Sequence, residues 1–136
     1  MKVFVDTNAL VAAYATRGLC SDLLRLIFAQ HELVVSRQVL TELGRALHDK
    51  IGLPPALIDE ILATLTPQLS DSEAGKPEPT APIGLRDPTD EAILAAAAAA
   101  GAEVLVTGDA DLLTAAARAP LPILSPRAFW QQQRGG

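Results

Sequence analysis

The sequence predicts a three-layer α/β/α fold around a central, mostly parallel sheet, in a single domain over residues 1–136. Short apolar runs of strand length recur along the chain, separated by longer segments in which apolar residues repeat at helical spacing. Apolar runs without polar alternation are typical of strands buried on both faces, as in parallel sheets covered by helices. Because only 4% of residues are aromatic, aliphatic side chains must fill the core.

The first apolar run, Val3 to Val5, leads directly into an acid, Asp6. Asn8 is predicted to cap a first helix over residues 9–15, which puts Asp6 at the carboxyl end of a buried strand. Ligands of open α/β sheets bind at that edge. Burying a carboxylate there costs free energy unless a partner interacts with it. Neither strand formation nor helix capping explains why Asp6 stands at this position.

The elements that follow continue the alternation of strands and helices. Ser21 or Asp22 is predicted to cap a second helix. Residues 33–35 predict a second strand, and Ser36 is predicted to cap a third helix that runs to about His48.

In the second half of the chain, prolines mark several predicted starts and ends of helices. Pro54 and Pro55 are predicted to start a fourth helix, which Pro67 ends. Residues 70–86 predict a long loop that is either mobile or contains a short strand. The remaining elements are predicted at residues 88–100 (a helix capped by Asp87), 103–106 (a strand), 112–118 (a helix), 121–124 (a strand) and 126–130 (a helix).

Acidic residues stand at or near the predicted junctions between strands and helices. They are Asp6, Glu42, Asp87, Asp90, Asp109 and Asp111. In a parallel sheet the strand-to-helix junctions meet at one edge, so acids far apart in the chain can converge. Because clustered carboxylates repel one another, their convergence predicts a hard divalent cation. Mg²⁺ and Mn²⁺ prefer such oxygen ligands.

Four of these acids, taken singly, also have a structural interpretation. Asp87, Asp90 and Asp109 are residues that the first turn of any helix favours. Glu42 lies beside the apolar arc of its helix, where a glutamate is more often solvated than bound to a ligand. The combination is therefore more specific than any of its members.

Charge and composition exclude few classes of function. A net charge of −5 is unusual for a nucleic-acid binder. If four of the 16 acids belong to one metal site, however, 12 remain against 11 Lys and Arg, and the rest of the surface is near neutral. A lone cysteine, the absence of a leader and the shortness of the longest apolar run, residues 93–100, predict a cytoplasmic protein without a membrane span.

Four segments together resemble the PIN-domain family. They are Val-Asp-Thr-Asn at residues 5–8, the segment 36–42, Arg-Asp-Pro-Thr-Asp-Glu at residues 86–91 and Val-Thr-Gly-Asp-Ala-Asp-Leu-Leu at residues 106–113. The resemblance extends from residue 2 to about residue 129. It is strongest to the bacterial toxin components of toxin–antitoxin pairs that are related to VapC toxins.

This resemblance implies a ribonuclease that hydrolyses RNA phosphodiester bonds with Mg²⁺ or Mn²⁺, as the toxin of a type II toxin–antitoxin pair. The expected partners are the RNA substrate, a small antitoxin protein and a second copy of the chain in a homodimer. The family's catalytic and metal-binding acids correspond to Asp6, Glu42, Asp90 and Asp109. The expected auxiliary residues, which orient or supplement these ligands, are Asn8, Asp87, Thr107 and Asp111.

Basic residues near the proposed edge are candidates to hold RNA phosphates, although a solvated role is equally consistent with the sequence. They are Arg17, Arg37 and Arg86.

Two alternatives remain open. One is aspartate-dependent phosphoryl transfer, but the haloacid dehalogenase pattern expects a second aspartate where Asn8 stands, and residues 104–112 contain no lysine. The other is a PIN-like module that binds RNA or protein without catalysis. Such a module is typically recognised by a missing acid, and none is missing here.

Overall fold

The computed structural model describes residues 1–69 and 88–135. The predicted loop at residues 70–86 and the predicted cap Asp87 lie outside these residues. In chain order the elements are β1 (Lys2–Val5), α1 (Thr7–Ala15), α2 (Leu19–Gln30), β2 (Glu32–Val34), α3 (Arg37–Ala46), a π-helical turn (Leu47–Ile51), α4 (Pro55–Leu65), a 3₁₀ turn (Thr66–Gln68), α5 (Pro88–Ala99), β3 (Val104–Val106), α6 (Ala110–Thr114), a 3₁₀ turn (Ala115–Arg118), β4 (Ile123–Leu124) and α7 (Pro126–Gly135).

The structure confirms the α/β/α fold with a parallel sheet. The four strands are hydrogen-bonded in the order β2-β1-β3-β4, and every pairing is parallel. Connections from β1 to β2 and from β3 to β4 run in opposite directions across the sheet. Right-handed crossovers then place α1 and α2 on one face and α6 on the other. The strand order therefore reverses between β1 and β3, and ligands bind at such a switch point.

The central strands are buried as their apolar sequences predict. Val3 of β1 lies between Leu33 of β2 and Val104 of β3, and all three side chains are almost completely shielded from solvent. Phe4 and Phe129 are the largest fully buried side chains. Within the described residues, no helix is both long and apolar enough to cross a bilayer.

The predicted caps of two helices were wrong. Asp6, not Asn8, is the N-cap of α1, because β1 ends at Val5 and the chain turns immediately. Cap chemistry therefore does explain part of the role of Asp6. Helix α2 begins at Leu19 behind Gly18, ahead of the predicted caps at positions 21 and 22. Gly18 adopts φ +151°, which a residue with a side chain rarely does, and the turn between α1 and α2 is correspondingly short.

Other helix boundaries differ from the predicted ones by a few residues. Ser36 caps α3 as predicted, with its Oγ accepting the Val39 N–H at 3.2 Å, but the α-helix gives way to the π-helical turn after Ala46. Asp109 caps α6, so this helix starts at residue 110 rather than 112. Helix α7 continues to residue 135, beyond the predicted end at residue 130.

Candidate metal centre

Asp6 lies at the carboxyl end of β1 with only 6% of its surface exposed. Its Oδ1 accepts the Thr7 N–H at 2.7 Å, and its Oδ2 accepts the Thr107 hydroxyl at 2.8 Å. Burial raises the pKa of Asp6, the two hydrogen bonds lower it, and the charges of Glu42 and Asp109 raise it further. The net effect is a raised pKa, because the carboxylate is desolvated among other acids.

The loop after β3 forms the second wall of the site. Thr107 is fully buried, and its Oγ accepts the Asp109 N–H at 3.0 Å while its hydroxyl donates to Asp6. Asp109 caps α6 through one oxygen, Oδ1, which accepts the N–H groups of Asp111 and Leu112 at 2.8 and 3.1 Å. Within residues 1–69 and 88–135, no hydrogen bond to its second carboxylate oxygen is found, so this oxygen can take a further ligand.

Glu42 reaches the same region from α3, where it is half-buried. Its Oε2 accepts the Thr7 hydroxyl at 2.9 Å, and its Oε1 accepts the Gln38 side-chain amide at 3.0 Å. Gln38 and Glu42 are four residues apart on one helix, so they are neighbours on its surface. The carboxylate of Glu42 is thus held toward the first turn of α1, next to Asp6.

Asp90 lies in the first turn of α5 and is 7% exposed. One carboxylate oxygen from each of Asp90, Asp109 and Asp111 lies within 4.8 Å of the other two. This spacing suits a shared cation. The structure therefore places Asp111, predicted as an auxiliary acid, within the same 4.8 Å limit of Asp109 as Asp90.

All four acids predicted as catalytic line one open cleft of about 430 Å³. The described residues that line it are Asp6, Thr7, Asn8, Val11, Glu42, Ala46, Lys50, Asp90, Ile93 and Asp109. Asn8 also joins the two walls, since its Oδ1 accepts the Gly108 N–H at 3.3 Å. Arg17 and Arg37 are exposed and are not among these lining residues. Arg86 and Asp87 lie outside the described residues.

The donor set of the cleft fits a hard divalent cation. Every candidate ligand is an oxygen, which is the ligand that Mg²⁺ and Mn²⁺ prefer. Asp6 and Asp90 are buried carboxylates, and a nearby cation offsets the cost of keeping them charged. Asp90, Asp109 and Asp111 satisfy the distance requirement together, while Asp6 and Glu42 line the same cleft as Asp90 and Asp109.

Sequence reasoning did not identify Thr7, Gln38 or Lys50. Thr7 follows Asp6 directly and Gln38 is one helical turn before Glu42, so both spacings were visible in the sequence. Lys50 is eight residues after Glu42, a spacing that returns to the same helix face after about two turns.

The raised pKa of Asp6 predicts how the stability of the metal-free protein depends on pH. A carboxyl group that is more basic in the folded state binds more protons there, so its contribution to stability falls as pH rises above the ordinary value of 3.8. We expect the free energy of unfolding of wild type, relative to Asp6→Asn, to decrease between about pH 4 and pH 7. Urea titrations of both proteins in EDTA measure this difference. An increase over the same range would contradict the raised pKa.

Comparison with known protein families gives a match that covers most of the chain. A family model described as PIN domain matches residues 2–111, from the first residue of β1 to the second residue of α6. The matched segment contains every acid of the cleft. A comparison with curated proteins gave no match.

Proposed function

Since this chain belongs to the PIN-domain family, we propose that it is an endoribonuclease that hydrolyses RNA phosphodiester bonds with Mg²⁺ or Mn²⁺. PIN domains are generally nucleases that use divalent metals. The observation that carries the proposal is the convergence of Asp6, Glu42, Asp90 and Asp109 on one cleft at the strand-order switch point. That all four acids are present supports an enzyme over a non-catalytic binding module.

The acids of the cleft have roles that their positions support. Asp6, Glu42, Asp90 and Asp109 would hold the cation, and Asp111, which lies close to Asp90 and Asp109, would supplement them. A bound divalent cation would activate water for attack on phosphorus and stabilise the negative charge of the transition state.

The polar neighbours of the acids fix their orientation. Thr107 connects Asp6 to Asp109, because its hydroxyl donates to one and its oxygen accepts from the backbone of the other. Thr7 and Gln38 each donate to one oxygen of Glu42. Such partners commonly determine how well a carboxylate holds its metal.

The biological role that we propose is that of the toxin in a type II toxin–antitoxin pair, with a small antitoxin protein as partner and a homodimer as the assembly. The support is the resemblance of residues 5–8, 86–91 and 106–113 to VapC-related toxins.

The proposed activity predicts that purified protein cuts single-stranded RNA in Mg²⁺ or Mn²⁺ and leaves it intact in EDTA. Cleavage should return when the metal is restored in excess, because carboxylate oxygens bind the metal reversibly. No covalent nucleophile of the protein is needed. Gel analysis of a labelled RNA follows the reaction. Cleavage that persists in EDTA would place the activity elsewhere, and intact RNA under all metal conditions would contradict the proposal.

A further inference from the structure

A second hollow adjoins the acid cleft along one side of α3. It encloses about 310 Å³ and is lined by Thr7, Glu42, Arg45, Ala46, Asp49 and Lys50. Four of these residues line the acid cleft as well, namely Thr7, Glu42, Ala46 and Lys50. The two hollows are therefore continuous, and a linear ligand in one can extend into the other.

The shape of this second hollow, which we call the basic groove, follows from helical spacing. Glu42, Ala46 and Lys50 are four residues apart and lie on one side of the helix, with the small Ala46 between two long side chains. Lys50 belongs to the π-helical turn, which buried Leu47 anchors and Gly52 ends at φ +75°. Turns of this kind occur frequently at functional sites.

The basic groove is named for two cations, Arg45 and Lys50, although two acids, Glu42 and Asp49, line it as well. Arg45 and Lys50 are the basic residues among the described residues that line either hollow, and both are exposed. The ion pairs found within the described part of the chain do not involve them. Both oxygens of Glu42 already accept hydrogen bonds, from Thr7 and Gln38.

The other acid of the groove, Asp49, is held by a neighbour outside it. Its Oδ1 lies 2.8 Å from the Nδ1 of His48, which turns the carboxylate toward that ring. A polyanion that approaches the acid cleft is repelled by its carboxylates, so cations beside the cleft contribute directly to affinity.

We propose that Lys50 and Arg45 form a subsite that binds a backbone phosphate of single-stranded RNA next to the phosphate that is cleaved. The subsite rests on the proposed function, since its position matters only if RNA enters the acid cleft. The subsite sets the path along which the RNA leaves the cleft, because the basic groove adjoins the cleft on the α3 side. Phosphate contacts of this kind fix register and carry no base specificity.

The test measures RNA binding without cleavage. A short fluorescent single-stranded RNA is titrated with each protein in EDTA over a series of NaCl concentrations, and anisotropy gives the dissociation constant. Lys50→Gln and Arg45→Gln should each weaken binding by about fivefold, the upper value for an exposed ion pair. Each should also reduce the magnitude of the slope of log K against log salt by about 0.7.

Two further variants control for net charge. Arg134→Gln removes an exposed cation from α7 and should change neither affinity nor slope, because the neighbouring Gln133 bonds to His31 at the amino end of β2, at the sheet edge opposite the cleft. Asp49→Asn keeps the shape of the basic groove and removes an acid, so it should bind RNA more tightly. Equal losses in Lys50→Gln, Arg45→Gln and Arg134→Gln would overturn the subsite.

A set of RNAs, each with one backbone phosphate replaced by a neutral methylphosphonate, locates the contact. One position should weaken binding by wild type and have no effect on the Arg45→Gln, Lys50→Gln double variant. If wild type cuts RNA but these variants bind it with unchanged affinity and slope, the subsite fails and the nuclease stands. If the variants lose binding but wild type never cuts RNA, the subsite stands and the proposed activity fails.

Discussion

Replacing Asp109 by Asn is expected to abolish RNA cleavage. Asp109 belongs both to the cleft that contains Asp6 and to the close set with Asp90 and Asp111. Asn retains an oxygen that can cap α6, so the fold survives while the charge is lost. Metal ions contribute several kcal/mol to such reactions, so the rate should fall at least about a hundredfold. Initial rates on single-stranded RNA in Mg²⁺ or Mn²⁺ measure the loss.

Three comparisons make this result specific. Asp6→Asn and Asp90→Asn should be as inactive as Asp109→Asn, whereas Asp111→Asn should only weaken cleavage. Asp59→Asn, an exposed acid on α4 with the same change of charge, should retain full activity. If Asp6→Asn, Asp90→Asn and Asp109→Asn all cleave RNA in the presence of EDTA, the activity belongs to another site or to a contaminant.

The second large effect is on stability. A cation that binds only the folded protein stabilises it by RT ln(1 + [L]/Kd), about 2.7 kcal/mol at roughly a hundred times Kd. Wild type should therefore melt at a higher temperature as Mn²⁺ or Mg²⁺ is added. Asp6→Asn should gain clearly less, because one acid of the cleft is gone.

The metal-free baseline of the same variant separates charge from helix capping. Asn is as good an N-cap as Asp, so the bond from the Thr7 N–H can remain in Asp6→Asn. Loss of a desolvated carboxylate near Glu42 and Asp109 then leaves the variant no less stable than wild type in EDTA at neutral pH. Thermal melts of both proteins in EDTA and in Mn²⁺ decide this. A less stable variant together with a metal-insensitive wild type would contradict a metal-binding role for Asp6.

The fold followed from the sequence because its strands are short apolar runs with few alternatives. Val3 to Val5 and Val104 to Val106 are typical of strands buried on both faces, and the parallel sheet brings the residues that follow them to one edge. The convergence of Asp6 and Asp109 on one cleft was predictable for the same reason.

Features decided by contacts between distant segments were not predictable. Asp6 and Asn8 are both good helix caps, and only the end of the pairing between β1 and β3 determines that Asp6 takes this role. The bond from Thr7 to Glu42 spans 35 residues. Lys50 reaches the cleft through a π-helical turn, and the helix and turn propensities of the sequence did not predict this turn.

The central claim is that the acids at this sheet edge hold a divalent cation. Crystals soaked in Mn²⁺ and measured for anomalous scattering test it most directly. A peak at coordination distance, about 2.1 to 2.3 Å, from carboxylate oxygens of Asp90 and Asp109 is the predicted result. Mn²⁺ density only at other acids of the surface, with none in this cleft, would contradict the account.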